Sequence, residues 1–322
     1  MRDRMTWEHS CGVLVACLAA IAAILGCAAI GGIPAHADEQ YVYSSQWGSQ
    51  GQADGQFSVI GGIALAGTNV YVTDHVYTET ARIQVFDGAG VHQLTFVDWS
   101  DYRAAMGGMA VDGMGRMYTS VVDTFQIAAA TPQMVVITNE DFTPARARFK
   151  PSDVALDSQG NMYVVESVMH QVNKFSNTGQ YVSKWGSQGS GDGQFQFPGG
   201  IAVGPDDTVY VADMLNDRIQ RFTSDGQFLA KWGTRGSEDG QFMTPRGVDV
   251  DAEGNVYVAD WLNQRVQKFD GDGVFITKWG SRGSGDGEFD GPVDVAVTPD
   301  ASTAYVVDLL NYRIQVFQQV IN

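Results

Sequence analysis

The residues of this chain best suited to chemistry are a few carboxylates and a sparse set of histidines. Asp153 and Asp294 occupy a place where otherwise similar stretches carry Gly200 or Gly247, and Asp249 lies two residues beyond Gly247 with the same side-chain parity. With Glu166 nearby, these groups would offer a hard cation such as calcium several oxygens. The bland alternative is that water solvates them. A zinc centre needs about three converging His, Cys or carboxylate ligands with one position left open. Beyond the N-terminal segment the chain has only His75, His92 and His170. No serine or cysteine nucleophile beside a base can be read from spacing. A further candidate is KWGSQGSGDGQF, Lys184 to Phe195, whose glycines and aspartate suggest a loop that cradles phosphate or calcium.

That loop has copies. KWGTRGSEDGQF runs from Lys231, KWGSRGSGDGEF from Lys278 and QWGSQGQADGQF from Gln46, and Trp185, Trp232 and Trp279 are spaced 47 residues apart. The copies precede a Phe and a strand, so the helix N-terminus that makes a phosphate loop work is missing. Calcium-binding glycine repeats recur about every nine residues, far more often than this one. The motif therefore reads as the crossing between repeated units, with Trp and Phe anchoring its ends.

Each unit must position its side chains on strands. From Pro198 the chain gives PGGIAVG, a Pro-Asp-Asp turn, TVYVAD, the loop MLND, RIQRF, the turn TSDG and QFLAKWG. Short apolar runs joined by turn residues form a four-stranded antiparallel meander, strands a to d. Equivalent units start at Gly61, Met106, Pro151, Pro245 and Pro292. In the second unit, strands c and d are expected near Met134 to Thr138 and Ala145 to Phe149. The last unit lacks a strand d, and Gln40 to Gly48, QYVYSSQWG, matches one that has no unit before it. The expectation is an all-β, six-bladed β-propeller spanning residues 38–322. The strand at 40–48 would complete the blade at 291–322, closing the ring and removing open sheet edges.

The motifs P-x-G-I-A-V, VYVAD, N-x-R-I-Q-x-F and KWGSxGSGDGQF, recurring in fixed order, resemble the NHL repeat. The resemblance implies the six-bladed fold. It also implies kinship with amidating lyases and gluconolactonase-like hydrolases, which hold a divalent metal in the central channel. The three histidines cannot supply such a site: His75 and His170 fall on rim loops of different blades, and His92 near a turn into strand d. RNA-binding NHL domains use basic faces, and this chain is acidic.

Strand b ends in Asp74, Glu166, Asp213, Asp260 or Asp308, and strand c opens with Arg82, Arg218, Arg265 or Arg313. An acid facing a guanidinium across a tight loop makes a charge-assisted bond that pins the loop, and its repetition argues for structure over catalysis. Gln171 replaces the arginine in the third unit, which would leave Glu166 a freer carboxylate. The b–c loops read Met214-Leu215, Trp261-Leu262 and Leu309-Leu310. The leucine at the second position is expected between blades, and Met214, Trp261 and Leu309 outward, forming with His75, Val76 and Tyr77 an apolar binding arc. Insertions HVYTET (75–80) and VDTFQIAAATPQ (122–133) break symmetry on the same face, where repeat scaffolds carry function.

Residues 1–37 read as a secretory signal: Arg2 and Arg4, an apolar run, then Ala35-His36-Ala37 before Asp38. The alternatives are an uncut membrane anchor and a lipobox ending at Cys27. All three place the repeats outside the cytoplasm. Cys11, Cys17 and Cys27 all lie in this segment, so the remainder carries no thiol. The net charge of −17 is untouched by cleavage, because Arg2, Arg4, Asp3 and Glu8 cancel. An acidic surface disfavours nucleic acid and anionic lipid. The sequence thus points to a monomeric, exported, non-enzymatic binding module for a protein, peptide or glycan, without a cofactor. Calcium in the channel is the exception considered, and a metal-dependent lyase or lactonase the competing function.

Overall fold

The computed structural model describes residues 39–75, 81–96, 106–121, 126–130, 134–138 and 151–321. The expected export segment, Val76 and Tyr77 lie outside them. The unit Glu39–Asn322 carries the fold, an all-β propeller of four-stranded antiparallel blades.

Five sheets are meanders in chain order, with inner strands Ile60–Ala66, Met106–Val111, Pro151–Leu156, Pro198–Val203 and Pro245–Val250. A further sheet orders Pro292–Val297, Thr303–Asp308 and Arg313–Ile321, with Glu39–Trp47 paired antiparallel along its outer edge. Each meander has the same physical logic. Strand b, such as Val209–Asp213 or Val256–Asp260, is buried at every residue, because it is covered on both faces and has no solvent side to alternate toward. Strand d is the least buried of the four, and in Phe228–Trp232 half-buried and exposed residues alternate. Apolar clusters fill the wedges between successive sheets, and one of them joins Ile60, Ile63 and Phe86 to Val293, Val307 and Ile314 of the last sheet. Rings recur at fixed places in these wedges: Phe195 with Phe222, Phe242 with Phe269 and Phe289 with Phe317 have centroids 5.6, 5.5 and 5.6 Å apart.

The Gly-rich crossings are structural. The Gly189 and Phe195 backbones pair, Phe195 is fully buried, and Arg218 donates to the carbonyls of Ser190, Gly191 and Gln194 at 2.8 Å each. Gly186 begins this crossing at φ +100°, where a Cβ would meet the Phe195 ring at 2.7 Å and the His170 carbonyl at 2.8 Å.

The N-terminal strand is held by more than its ladder. The Tyr41 hydroxyl donates to the Ala301 carbonyl at 2.6 Å and lies 3.0 Å from the Tyr257 hydroxyl, which in turn donates to Asp251 at 2.9 Å. Glu39 pairs with the buried Lys268. The contacts of Tyr41 and Glu39 bring together residues more than 200 positions apart in the sequence.

The second sheet corrects the sequence expectation. Its strand c is Gln126–Ala130 and its strand d is Met134–Thr138, and Ala145 to Phe149 lies outside the described residues. The run QIAAA lacks the Arg and Phe that mark strand c elsewhere, and alanine has a poor strand propensity. Pairing with Met117–Val121 and Met134–Thr138 extends it nonetheless. Only residues 122–125 then remain between strands b and c, instead of the expected longer insertion.

Candidate functional site

The inner strands begin with an irregularity that shapes the channel. In the fourth blade Pro198 pairs with Asp213 and the next pair is Ile201 with Val211, so Gly199 and Gly200 bulge out of the ladder. Where aspartate replaces the second glycine, register returns one residue earlier: Asp153 faces Val165, and Asp294 faces Val307. A Cβ on Gly247 would meet Asp294 Oδ1 at 2.2 Å, and one on Gly108 would meet Asp153 Oδ1 at 1.8 Å. The result is a neck of glycines and two carboxylates. On the b–c side of this neck lies a cavity of about 180 Å³ lined by Phe197, Met214, Arg246, Asp153 and Asp294. On the other side lies one of about 330 Å³, also reached by Asp153, Asp294 and Asp249.

Each carboxylate also bridges two blades. Asp153 accepts the amides of Val154 and, from the next blade, Ile201 at 2.8 and 2.9 Å. Asp249 accepts those of Val250 and Val297 at 2.8 and 2.7 Å. Asp294 accepts those of Val295 and Ile63, both at 3.0 Å. Burial holds all three carboxyls above the usual carboxylate range; Asp249 and Asp294 are pushed up to about 7. Mutual repulsion adds to the rise, and the amide bonds offset part of it. Arg246 sits with its guanidinium carbon 5.0 Å from the centre of the Trp261 ring. Burial lowers its pKa, and the charge of Asp294 opposes that shift.

The calcium candidates are not assembled as expected. Glu166 is fully buried at the end of strand b, opposite Gln171, and lines neither cavity. Among the described residues no group of three His, Cys, Asp or Glu side chains is placed to hold a metal ion. The divalent metal implied by the repeat's resemblance therefore does not fit the residues described. His170 accepts the Phe197 amide on Nδ1 at 3.0 Å, His92 opens the outer strand His92–Phe96 and meets Thr95 and Asp54, and the His75 amide donates to the Val59 carbonyl.

The acid and arginine at the ends of strands b and c meet across the b–c loops. Asp74–Arg82, Asp213–Arg218, Asp260–Arg265 and Asp308–Arg313 are joined at 2.9, 2.8, 2.9 and 2.7 Å, with every carboxylate fully buried. Asn216, Asn263 and Asn311 donate to the same carboxylates. The guanidiniums reach the Gly-rich crossings, so each pair fixes a crossing as well as a b–c loop.

The apolar rim is where the structure reverses the reading. Each of three b–c loops is a 3₁₀ turn, Met214–Asn216, Trp261–Asn263 and Leu309–Asn311, closed by a left-handed residue, Asp217, Gln264 or Tyr312. Trp261 and Leu309 are half-buried against the core, and Met214 lies over Gly199 at the channel mouth. The second residues are the outward ones: Leu215, Leu262 and Leu310 are 47, 48 and 53 % exposed. Phe197 and Met169 add exposed apolar surface. Successive residues of a 3₁₀ turn are rotated by about 120°, so the two-residue alternation of a strand does not carry into the loop.

The fold and channel thus define a β-propeller with an acidic neck and an apolar rim. Residues 141–281 match the family model of the SMP-30/gluconolactonase/LRE-like region, a propeller family related to the NHL repeat suggested by the motifs. Among solved structures, the chain is similar to a protein of unknown function from Bacteroides thetaiotaomicron, with 20% identity and a TM-score of 0.67 over 88% of this chain and 76% of that one. It is also similar to a gluconolactonase from Xanthomonas campestris, with 16% identity and a TM-score of 0.62 over 82% and 87%. A virginiamycin B lyase from Staphylococcus aureus shares 12% identity and a TM-score of 0.59 over 87% and 98%. No curated protein matches the sequence. At these identities the likeness speaks for the fold alone.

Proposed function

We propose that the chain is an exported, six-bladed propeller, its ring closed by the strand at Glu39–Trp47, acting as a non-enzymatic module that binds a protein, peptide or glycan through its b–c face. One observation carries this reading: Leu215, Leu262 and Leu310 repeat at the same rim position in three successive blades and are all exposed. An apolar patch rimmed by polar groups is costly to keep in water and marks an interaction surface. The closed ring is supported by the apolar cluster shared between the first and last sheets and by the Asp294 bond to Ile63. Export is supported by the character of residues 1–37, and exclusion of nucleic acid by the net charge of −17. The module acts as a monomer at the cell surface or beyond it.

The test is capture of partners from native envelope and culture medium by the wild type and by a Leu215→Ser, Leu262→Ser, Leu310→Ser variant. The reading expects capture to fail in the variant while its melting temperature stays within a few degrees of wild type. Equal capture by both proteins refutes it.

A second reading, a metal-dependent lactonase or lyase, is favoured by the family-model match over residues 141–281. Elemental analysis of the purified chain, followed by thermal shifts with EDTA, calcium and zinc, separates the two. Stoichiometric metal together with lactone turnover would install the enzyme reading.

A further inference from the structure

The cavity beyond the neck has a composition that selects a ligand by charge. Its wall is aliphatic, built from residues such as Ile63, Leu65, Val154, Ile201, Val203 and Val297. Among the described residues, the only charged groups lining it are Asp153, Asp249 and Asp294. At about 330 Å³ it falls at the small end of small-molecule sites. Arg246 does not line it: it lines the cavity on the opposite side of the neck, where it stacks on Trp261 and offsets part of the charge of Asp294. We propose that this cavity binds a small organic cation with an apolar body, an ammonium group on an alkyl or aryl chain, admitted from the a–b turn face. This site lies on the other side of the neck from the rim interaction and goes beyond that reading.

Three features support it. Each oxygen of Asp249 accepts one backbone amide, from Val250 or Val297, and retains acceptor capacity for an ammonium N–H. An anion would meet only like charge there. A neutral ligand would fill the apolar wall and leave the carboxylates uncompensated. The way in is acidic: a shallower cavity shares Leu156, Val203, Val297 and Pro299 with the deep one and is flanked by Asp157, Asp207 and Asp251. Such a funnel raises the local concentration of cations. A hard divalent ion would instead require several converging oxygens, six to eight for calcium, and among the described residues no such set is built. An ammonium requires one or two acceptors and a place for its chain. The raised carboxyls of Asp249 and Asp294 fit the same picture: burial pushes both up, and Arg246 offsets the shift of Asp294 only in part.

The experiment is calorimetric titration of the full chain near neutral pH with phenethylammonium, 2-phenylethanol and 3-phenylpropionate. A lysine-containing peptide forms a fourth arm, to distinguish a free amine from a side chain presented by a partner. The expected result is saturable binding of phenethylammonium or of the peptide, with the alcohol and the carboxylate weaker by about tenfold or more. Binding should release protons, seen as a dependence of the heat on buffer ionisation. Asp249→Asn should weaken binding by about tenfold. Val203→Phe should block it by filling the cavity, and serves if Asp249→Asn misfolds. The rim variant should bind the amine as wild type does, so failure here is distinct from failure of the rim reading. Absence of saturable binding, equal binding of the alcohol, or an unchanged Kd in a folded Asp249→Asn or Val203→Phe protein overturns the proposal.

Discussion

Arg265→Ala tests whether the recurring acid–arginine pairs hold the fold. Asp260 is fully buried and accepts Arg265 Nε at 2.9 Å, Asn263 at 2.8 Å and the Met243 amide at 2.8 Å. Burial holds its carboxyl above the usual range despite these partners. Arg265 also donates to the Ser237, Glu238 and Gln241 carbonyls of the crossing, at 2.7, 2.9 and 2.7 Å. Removing the guanidinium strips a buried carboxylate of its counter-charge, a loss of about 3–5 kcal/mol. For a unit of this size that lowers the melting temperature by roughly 10 °C. The control is Lys231→Ala: its ion pair with Asp192 is about half exposed on both sides, so it should cost less than about 1 kcal/mol. Urea unfolding of both variants, with hydrogen exchange of residues 233–242, is the assay. Arg265→Ala should lower the urea midpoint sharply and speed exchange in its own crossing. If the two variants unfold alike, or if the crossing exchanges no faster, the structural assignment of these pairs is wrong.

Other outcomes follow from the same geometry. Asp249 and Asp294 titrate near 7 in the folded protein against about 3.8 unfolded, so the native state binds more protons between those values. Their contribution to stability is fully present below about pH 4 and is lost as pH rises through about 7; urea midpoints of Asp249→Asn should show a shallower decline across this window than wild type. Tyr41→Phe removes the hydroxyl that bonds Ala301 and Tyr257 and should cost about 1 kcal/mol, with faster exchange in residues 39–47. Gly247→Ala forces a methyl to within 2.2 Å of Asp294 Oδ1 and should destabilise by roughly 1–3 kcal/mol, measured by thermal unfolding.

The strands were legible because their apolar runs repeat with the turn residues between them, and the orphan QYVYSSQWG pointed to the strand that pairs along Arg313–Ile321. The acid–arginine pairs were legible too, since a hairpin brings their positions together. What escaped was set by geometry that spacing does not encode. A 3₁₀ turn rotates Trp261 inward and Leu262 outward, the reverse of the orientation expected for the two positions. The second sheet hid its strand c because Gln126–Ala130 carries none of the marker residues. The inter-blade bonds did leave a signal: Asp153 to Ile201 and Asp249 to Val297 each span 48 residues, close to one repeat. The Lys268 pair with Glu39 spans 229 and left none.

The b–c face as the working surface is tested most directly by a hydrogen-exchange footprint of a captured partner on the full chain. Slowed exchange should centre on residues 213–217, 260–264 and 308–312, around Leu215, Leu262 and Leu310. A footprint on the opposite turns, at 204–207 and 251–254, with the b–c loops unchanged, would contradict the account.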